Sequence, residues 1–125
     1  MSLDPSALNG LSLAYLGDAV IELLARRRVL SSGVTDVGRL NALCRAYITA
    51  KVQSQAVERL LPHLSEAETD VYKRGRNAHG VSAPKSASVG EYRRAPGMEA
   101  LFGPLYLSGE DGRLNELFNI AYPEE

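Results

Sequence analysis

Two carboxylates stand where carboxylates are expensive. Asp18 lies midway along residues 11–25, where Leu13, Leu16, Val20, Ile21, Leu24 and their neighbours cover almost every direction around a helical axis. A helix that is apolar all round is expected to be central to its domain, and an unpaired buried carboxylate costs several kcal/mol, about 3 or more. No basic residue lies within one turn of Asp18, so its partner is either distant in the chain or a metal ion. Glu99 raises the same question at the head of Ala100-Leu101-Phe102-Gly103-Pro104-Leu105, which is otherwise apolar. Two such acids can meet at one hard cation, and Mg²⁺ takes one or two carboxylates together with waters and substrate phosphates. Glu22, one turn after Asp18, is a candidate for the outer coordination shell. The competing account is a structural ion pair made by Arg93, Arg94 or an arginine of the 26–28 cluster. Gly17, beside Asp18, is costly inside a helix and suggests close approach of another backbone or a ligand.

The bases are as unevenly spread as the acids. Residues 73–94 hold Lys73, Arg74, Arg76, Lys85, Arg93 and Arg94 against Glu91 alone, whereas residues 1–25 hold three acids and no base. The whole chain carries a formal charge of -1, which argues against bulk electrostatic packing of DNA. One local basic stretch can still hold a polyanion. Lys73, Arg74, Arg76 and Lys85 are therefore candidates for phosphate contacts. Asn77 is a candidate donor to a sugar hydroxyl, His79 a further phosphate contact, and Arg93 and Arg94 either bind phosphate or orient Glu99. The bland alternative is that the 73–76 bases complement a helix dipole. Arg26, Arg27 and Arg28 read as a solvated helix end, and Tyr92 as packing. His63 and His79 have no recognisable spacing to Cys44, so no nucleophile–base constellation is evident.

The elements that must position these groups are helical. No stretch alternates cleanly as a half-buried strand should. A short turn opens at Asp4-Pro5, and a helix runs from about Leu11 to Leu30. Thr35 or Asp36 caps a second helix from about Val37 to Tyr47, and Thr49 a third, which Pro62 stops. Ser65-Glu66-Ala67-Glu68 is a capping box for a fourth, ending near Asn77. Residues 78–88 read as a functional loop. Ser88-Val89-Gly90-Glu91 opens a short helix. Another follows from about Gly97 to Leu107, kinked by Pro104, and a last one spans 111–121. This predicts one all-α domain, residues 1–125, of six or seven helices. At 125 residues, 45% hydrophobic and 23% charged, the chain suits a globular domain with a real core. The lone cysteine excludes a disulfide scaffold and makes an intracellular, cytoplasmic location the expectation. No transmembrane span or signal peptide is evident. Met1-Ser2-Leu3 carries no signal either way.

The motifs also carry a family resemblance. Leu13-Ala14-Tyr15-Leu16-Gly17-Asp18-Ala19-Val20-Ile21-Glu22 resembles the signature helix of the ribonuclease III catalytic domain. Lys73-Arg74-Gly75-Arg76-Asn77-Ala78 and Ala50-Lys51-Val52-Gln53 with Gln55-Ala56 resemble segments of its Mini-III subfamily. Tyr92-Arg93 followed by Met98-Glu99-Ala100-Leu101-Phe102-Gly103 resembles the second catalytic helix. The four occur in the family's order across nearly the whole chain. The resemblance implies an all-α, homodimeric endoribonuclease that cleaves double-stranded RNA with Mg²⁺ (Mn²⁺ substituting), leaving 5′-phosphate and 3′-hydroxyl ends. It implies no appended double-stranded-RNA-binding domain. It also implies a role on the precursor of large-subunit (23S) ribosomal RNA, with a ribosomal protein as a further partner. Asp18 and Glu99 fall on the family's metal-binding Asp and Glu. Two further acids of the larger enzymes are replaced here by Ala14 and Pro96, leaving two carboxylates per subunit. Those losses keep open an inactive relative that binds structured RNA. An ion-paired interaction module and an all-α nucleotide pyrophosphohydrolase are the remaining alternatives.

Overall fold

A computed structural model of the chain describes residues 3–78 and 89–124, and the side chains of 89–92 are outside that description. A 3₁₀ turn, Pro5–Ala7, precedes α1 (Gly10–Leu30), α2 (Val37–Arg45) and α3 (Ala50–Leu60). A second 3₁₀ turn, Leu61–His63, leads to α4 (Glu66–Arg76), α5 (Val89–Leu107) and α6 (Asp111–Ala121). The described residues contain no strand, and none of their helices is long and apolar enough to cross a membrane.

Local chemistry sets the boundaries. Asp4, Asn9, Asp36, Thr49 and Ser65 each accept a backbone N–H at a helix start, satisfying a donor that the helix itself leaves unpaired. Ser65 and Glu68 form the reciprocal capping box, so that signature is realised in full. Asp36 rather than Thr35 caps α2. Pro62 converts the end of α3 into the 3₁₀ turn. Most of the segment read as a loop, including His79 and Lys85, lies outside the described residues, as does Ser88 of the second capping signature.

The two short helices expected after residue 88 are one. α5 continues through Pro96 and Pro104. Each proline removes one helical hydrogen bond, yet α5 packs on α1, α3, α4 and α6 together. Met98, Ala100, Leu101, Phe102 and Leu105 are buried in those contacts. Tertiary burial outweighs the local cost, as it commonly does for propensity.

α1 also departs from expectation. Leu13, Val20, Ile21, Leu24 and Ala25 enter the core, but Leu11, Tyr15 and Leu23 do not. The helix is therefore two-faced within one chain. Asp18 lies on its exposed side rather than in the interior.

The crossing of α1 and α5 brings two backbones into contact. A Cβ added at Gly17 would stand 1.5 Å from the Glu99 carbonyl oxygen, and one at Gly103 would stand 2.6 Å from that of Leu13. The two contacts are four residues apart on each helix and run in opposite directions, so the helices cross antiparallel. Glycine is present because no side chain fits. Gly17→Ala should therefore destabilise the fold by about 3 kcal/mol, the upper range for over-packing a tight contact. Gly112 in α6 has open space around it, and Gly112→Ala should stabilise by up to about 1 kcal/mol. Urea denaturation of both variants checks the pair. Equal effects at the two positions would contradict the close crossing.

Candidate active site

Gly17 abuts the backbone of Glu99, so Asp18, the next residue, is delivered beside the Glu99 side chain. The two carboxyl groups are within hydrogen-bonding reach of one another. Burial pushes the Glu99 carboxyl up to about 9, and the adjacent Asp18 acts in the same direction. No arginine or lysine among the described residues forms an ion pair with either acid.

Of the bases proposed as structural partners, Arg94 and the arginines of the 26–28 cluster are engaged elsewhere, and Arg93 is exposed. Arg94 pairs with Glu58 at 3.0 Å and donates to the Ser54 hydroxyl at 3.1 Å, tying α5 to α3. Arg26 pairs with Glu22 on the surface of α1, so the candidate outer-shell acid has a cation of its own. Arg27 donates to Asn115. Arg28 stacks on Phe118 and donates to the Tyr122 carbonyl and to Asn119, with only 14% of its side chain exposed. The 26–28 cluster is thus not simply a solvated helix end, because two of its arginines fasten α6.

Two carboxylates in contact without a base repel unless they share a proton or a cation. The donor set is hard oxygen, which suits Mg²⁺ or Mn²⁺ rather than a soft metal. Ala14 and Pro96 add no ligand. Among the described residues no group of three or more His, Cys, Asp or Glu gathers as a metal cluster. Among the described residues, a cation here would find two protein carboxylates, Asp18 and Glu99.

The other candidate residues divide. Lys73, Arg74 and Arg76 occupy the last turn of α4, with Asn77 as its C-cap. Arg74 donates to the Leu8 carbonyl. Arg76 lies over the Tyr72 ring, 5.9 Å from its centroid, and donates to the Asn77 side chain at 3.2 Å. Lys73 and Arg93 are exposed. His79 and Lys85 lie outside the described residues. The sequence reading missed Gln53 and Ser54 as buried polar side chains. The only advance signal was for Gln53, through its place in the Ala50–Gln53 segment, and Ser54 had none. His63 is exposed, and its carbonyl accepts from Arg113.

The Glu99 environment makes stability depend on pH. Without a cation, burial holds the Glu99 carboxyl up at about 9, against 4.5 for an ordinary glutamate. Between those values the folded chain binds more protons than the unfolded one, so stability falls as pH rises through the window. Glu99→Gln removes that titration. At pH about 8 in EDTA the variant should be more stable than the parent by at least about 1 kcal/mol, a few degrees in melting temperature. The advantage should close near pH 4.5. Circular-dichroism melts at both pH values check this, and a difference that does not change with pH would refute it.

Comparison with known proteins agrees with the geometry. The profile of the Ribonuclease III domain matches residues 11–110. The chain is 45% identical over 118 residues to Mini-ribonuclease 3 of Symbiobacterium thermophilum, covering 94% of this chain and 91% of that one. It is 40% identical over 119 residues to Mini-ribonuclease 3 of Brevibacillus brevis, covering 95% and 89%. A crystal structure of a Fusobacterium nucleatum protein superposes with a TM-score of 0.81 at 33% identity, over 91% of each chain. A helical fold, two convergent carboxylates and a domain match across most of the chain lead to one conclusion: this endoribonuclease belongs to the ribonuclease III family, in its Mini-ribonuclease 3 branch.

Proposed function

We propose that residues 1–125 act as one catalytic domain that hydrolyses phosphodiester bonds of double-stranded RNA at Asp18 and Glu99 with Mg²⁺. The observation that carries this is the pair of carboxyl groups within hydrogen-bonding reach of one another, with no ion-paired base among the described residues. Ribonuclease III enzymes in general depend on divalent metal, and this donor set fits a hard cation. When bound, Mg²⁺ supplies positive charge at the scissile phosphate and lowers the pKa of water. Asp18 and Glu99 contribute the negative charge that retains the cation, and the Gly17 contact fixes their spacing. Water adds to phosphorus as the P–O3′ bond breaks. One strand end is left with a 5′-phosphate and the other with a 3′-hydroxyl, and the proton lost by water balances the one gained by the 3′ oxygen.

Grip on RNA is assigned to the basic face. A-form duplexes are recognised mainly by shape, through phosphates and 2′-hydroxyls. Lys73, Arg74, Arg76 and Arg93 supply cations, and Asn77 an amide donor. His79 and Lys85 extend the same set in sequence, with Arg94 beside them. The natural substrate in this reading is the 23S ribosomal RNA precursor in the cytoplasm, with a ribosomal protein contributing selectivity.

The working unit in this reading is a homodimer. Leu11, Tyr15, Asp18 and Glu22 follow one another at spacings of four, three and four, so they share one face of α1. Tyr15 is 85% exposed, Leu23 beside this face 59%, and Tyr106 of α5 50%. Covering such a stripe is favourable at about 25 cal/mol per Å² of apolar surface. A two-fold axis along it would set two carboxylate pairs against the two strands of one duplex.

A long paired RNA in Mg²⁺ should be cut, and EDTA should stop the cutting. Asp18→Asn and Glu99→Gln should each lower the rate at least about a thousandfold while duplex binding persists. End-group analysis should find 5′-phosphates. Retained cutting by either variant would remove that carboxylate from the mechanism. Tyr15→Asp with Leu23→Asp should give a monomer in sedimentation equilibrium, and an unchanged dimer would place the interface elsewhere.

A further inference from the structure

Part of the basic face, with Lys73, Arg76 and Arg93, forms a feature apart from the carboxylate pair. Between the C-terminal half of α4 and the start of α5 is a recess of about 360 Å³. That is at the small end of ligand-pocket volumes. Lys73, Arg76, Arg93 and Arg94 line it with Asn77 and Tyr72, and among the described residues no acid lines it. The helix dipole accounts for only half of this charge. Lys73 and Arg76 suit the C-terminal end of α4, but Arg93 and Arg94 belong to the opening half of α5, where the dipole offers a cation nothing.

Two of the cations are already fixed. Arg94 is held by Glu58 and Ser54, and Arg76 by the Tyr72 ring and Asn77. Donors positioned before the ligand arrives bind it at lower entropic cost. Lys73 and Arg93 are exposed at the rim, and neither forms an ion pair with a carboxylate among the described residues. After Arg94 is offset by Glu58, three cations face one small recess.

The recess is on the far flank of α5 from the carboxylate pair. Arg94 turns toward α3, whereas Glu99 meets α1. An anion held there is therefore not the phosphate being cleaved. Its concavity and charge favour an end over a continuous backbone. A terminal phosphomonoester carries about −1.5 to −2 at pH 7 and offers three acceptor oxygens. A backbone diester carries one charge and has a sugar on either side.

We propose that this recess is a phosphomonoester site for a nucleotide, taking the 5′-phosphorylated end of an RNA strand or a free mononucleotide, bound by Lys73, Arg76 and Arg93. The proposal stands on the recess itself, and its test excludes metal so that it does not depend on cleavage.

The test uses the full chain in EDTA and two short single-stranded RNAs labelled at the 3′ end, one with a 5′-phosphate and one with a 5′-hydroxyl. Fluorescence anisotropy should show the phosphorylated strand binding at least about tenfold tighter. Lys73→Ala and Arg93→Ala should each reduce that preference, and the double variant should abolish it with its melting temperature unchanged. Adenosine should not compete. Competition by adenosine 5′-monophosphate would extend the site to free nucleotides, whereas its failure beside a retained preference would restrict the site to RNA ends. Either result supports the site. Equal binding of the two strands, or a preference that survives the double substitution, would overturn it.

Discussion

The antiparallel crossing of α1 and α5 is the contact on which the rest of this molecule depends. At Gly17 and Gly103 the backbones meet without side chains between them, each glycine Cα lying against a carbonyl of the other helix. Such an approach gains dispersion contacts and weak Cα–H···O interactions over a short stretch. It also sets the axial register of the two helices. Asp18 and Glu99 come together because each is adjacent to, or part of, that contact. The same helix α5 carries Met98, Phe102 and Leu105 into the core, so the site shares its foundation with the fold's stability.

Electrostatics distinguishes this pair from the ion-paired charges that tie the helices together. Glu68 is held below the usual carboxylate range chiefly by Arg113, which also bonds the His63 carbonyl and so joins α6 to α4. Arg28 and Arg59 donate to the carbonyls of Tyr122 and Ala121, at the negative end of the α6 dipole. Arg94 has Glu58. These pairings are complete, and they tie helices together. Burial, and then the neighbouring Asp18, raises the Glu99 carboxyl, and no base among the described residues pairs with either acid. A fold that pairs Glu68 with Arg113 and Arg94 with Glu58 but leaves these two acids opposed retains a local cost, as functional sites commonly do.

Much of the fold was legible because its signals are local. The caps at Asp36, Thr49 and Ser65, and the stop at Pro62, act through hydrogen bonds within one turn, so residue type and spacing were enough to find them. The break expected before Gly97 failed for the opposite reason. Pro96 and Pro104 weaken α5 locally, but packing against four other helices is a property of the whole chain. The exposure of Asp18 was missed in the same way. Apolar residues around α1 indicate that its faces need cover, but not whether one chain or two supplies it. Tyr15 and Leu23 remain open to water here. The arginines at 26–28 likewise gave no sign that two of them reach α6, some ninety residues away.

The amino-acid sequence by itself determined the helices, the two out-of-place acids, the basic stretch and, through motif order, the family resemblance. All of these depend on neighbours within a few residues or on the order of short segments. The tertiary structure alone decided that Asp18 and Glu99 face one another with no ion-paired base among the described residues. It also decided that Arg94 belongs to Glu58 rather than to Glu99, and that Arg93 joins Lys73 and Arg76 around a separate recess. The reason is physical. Charges act on whatever lies within a few ångströms, and groups eighty residues apart come that close only where helix packing, here through two glycines, permits it.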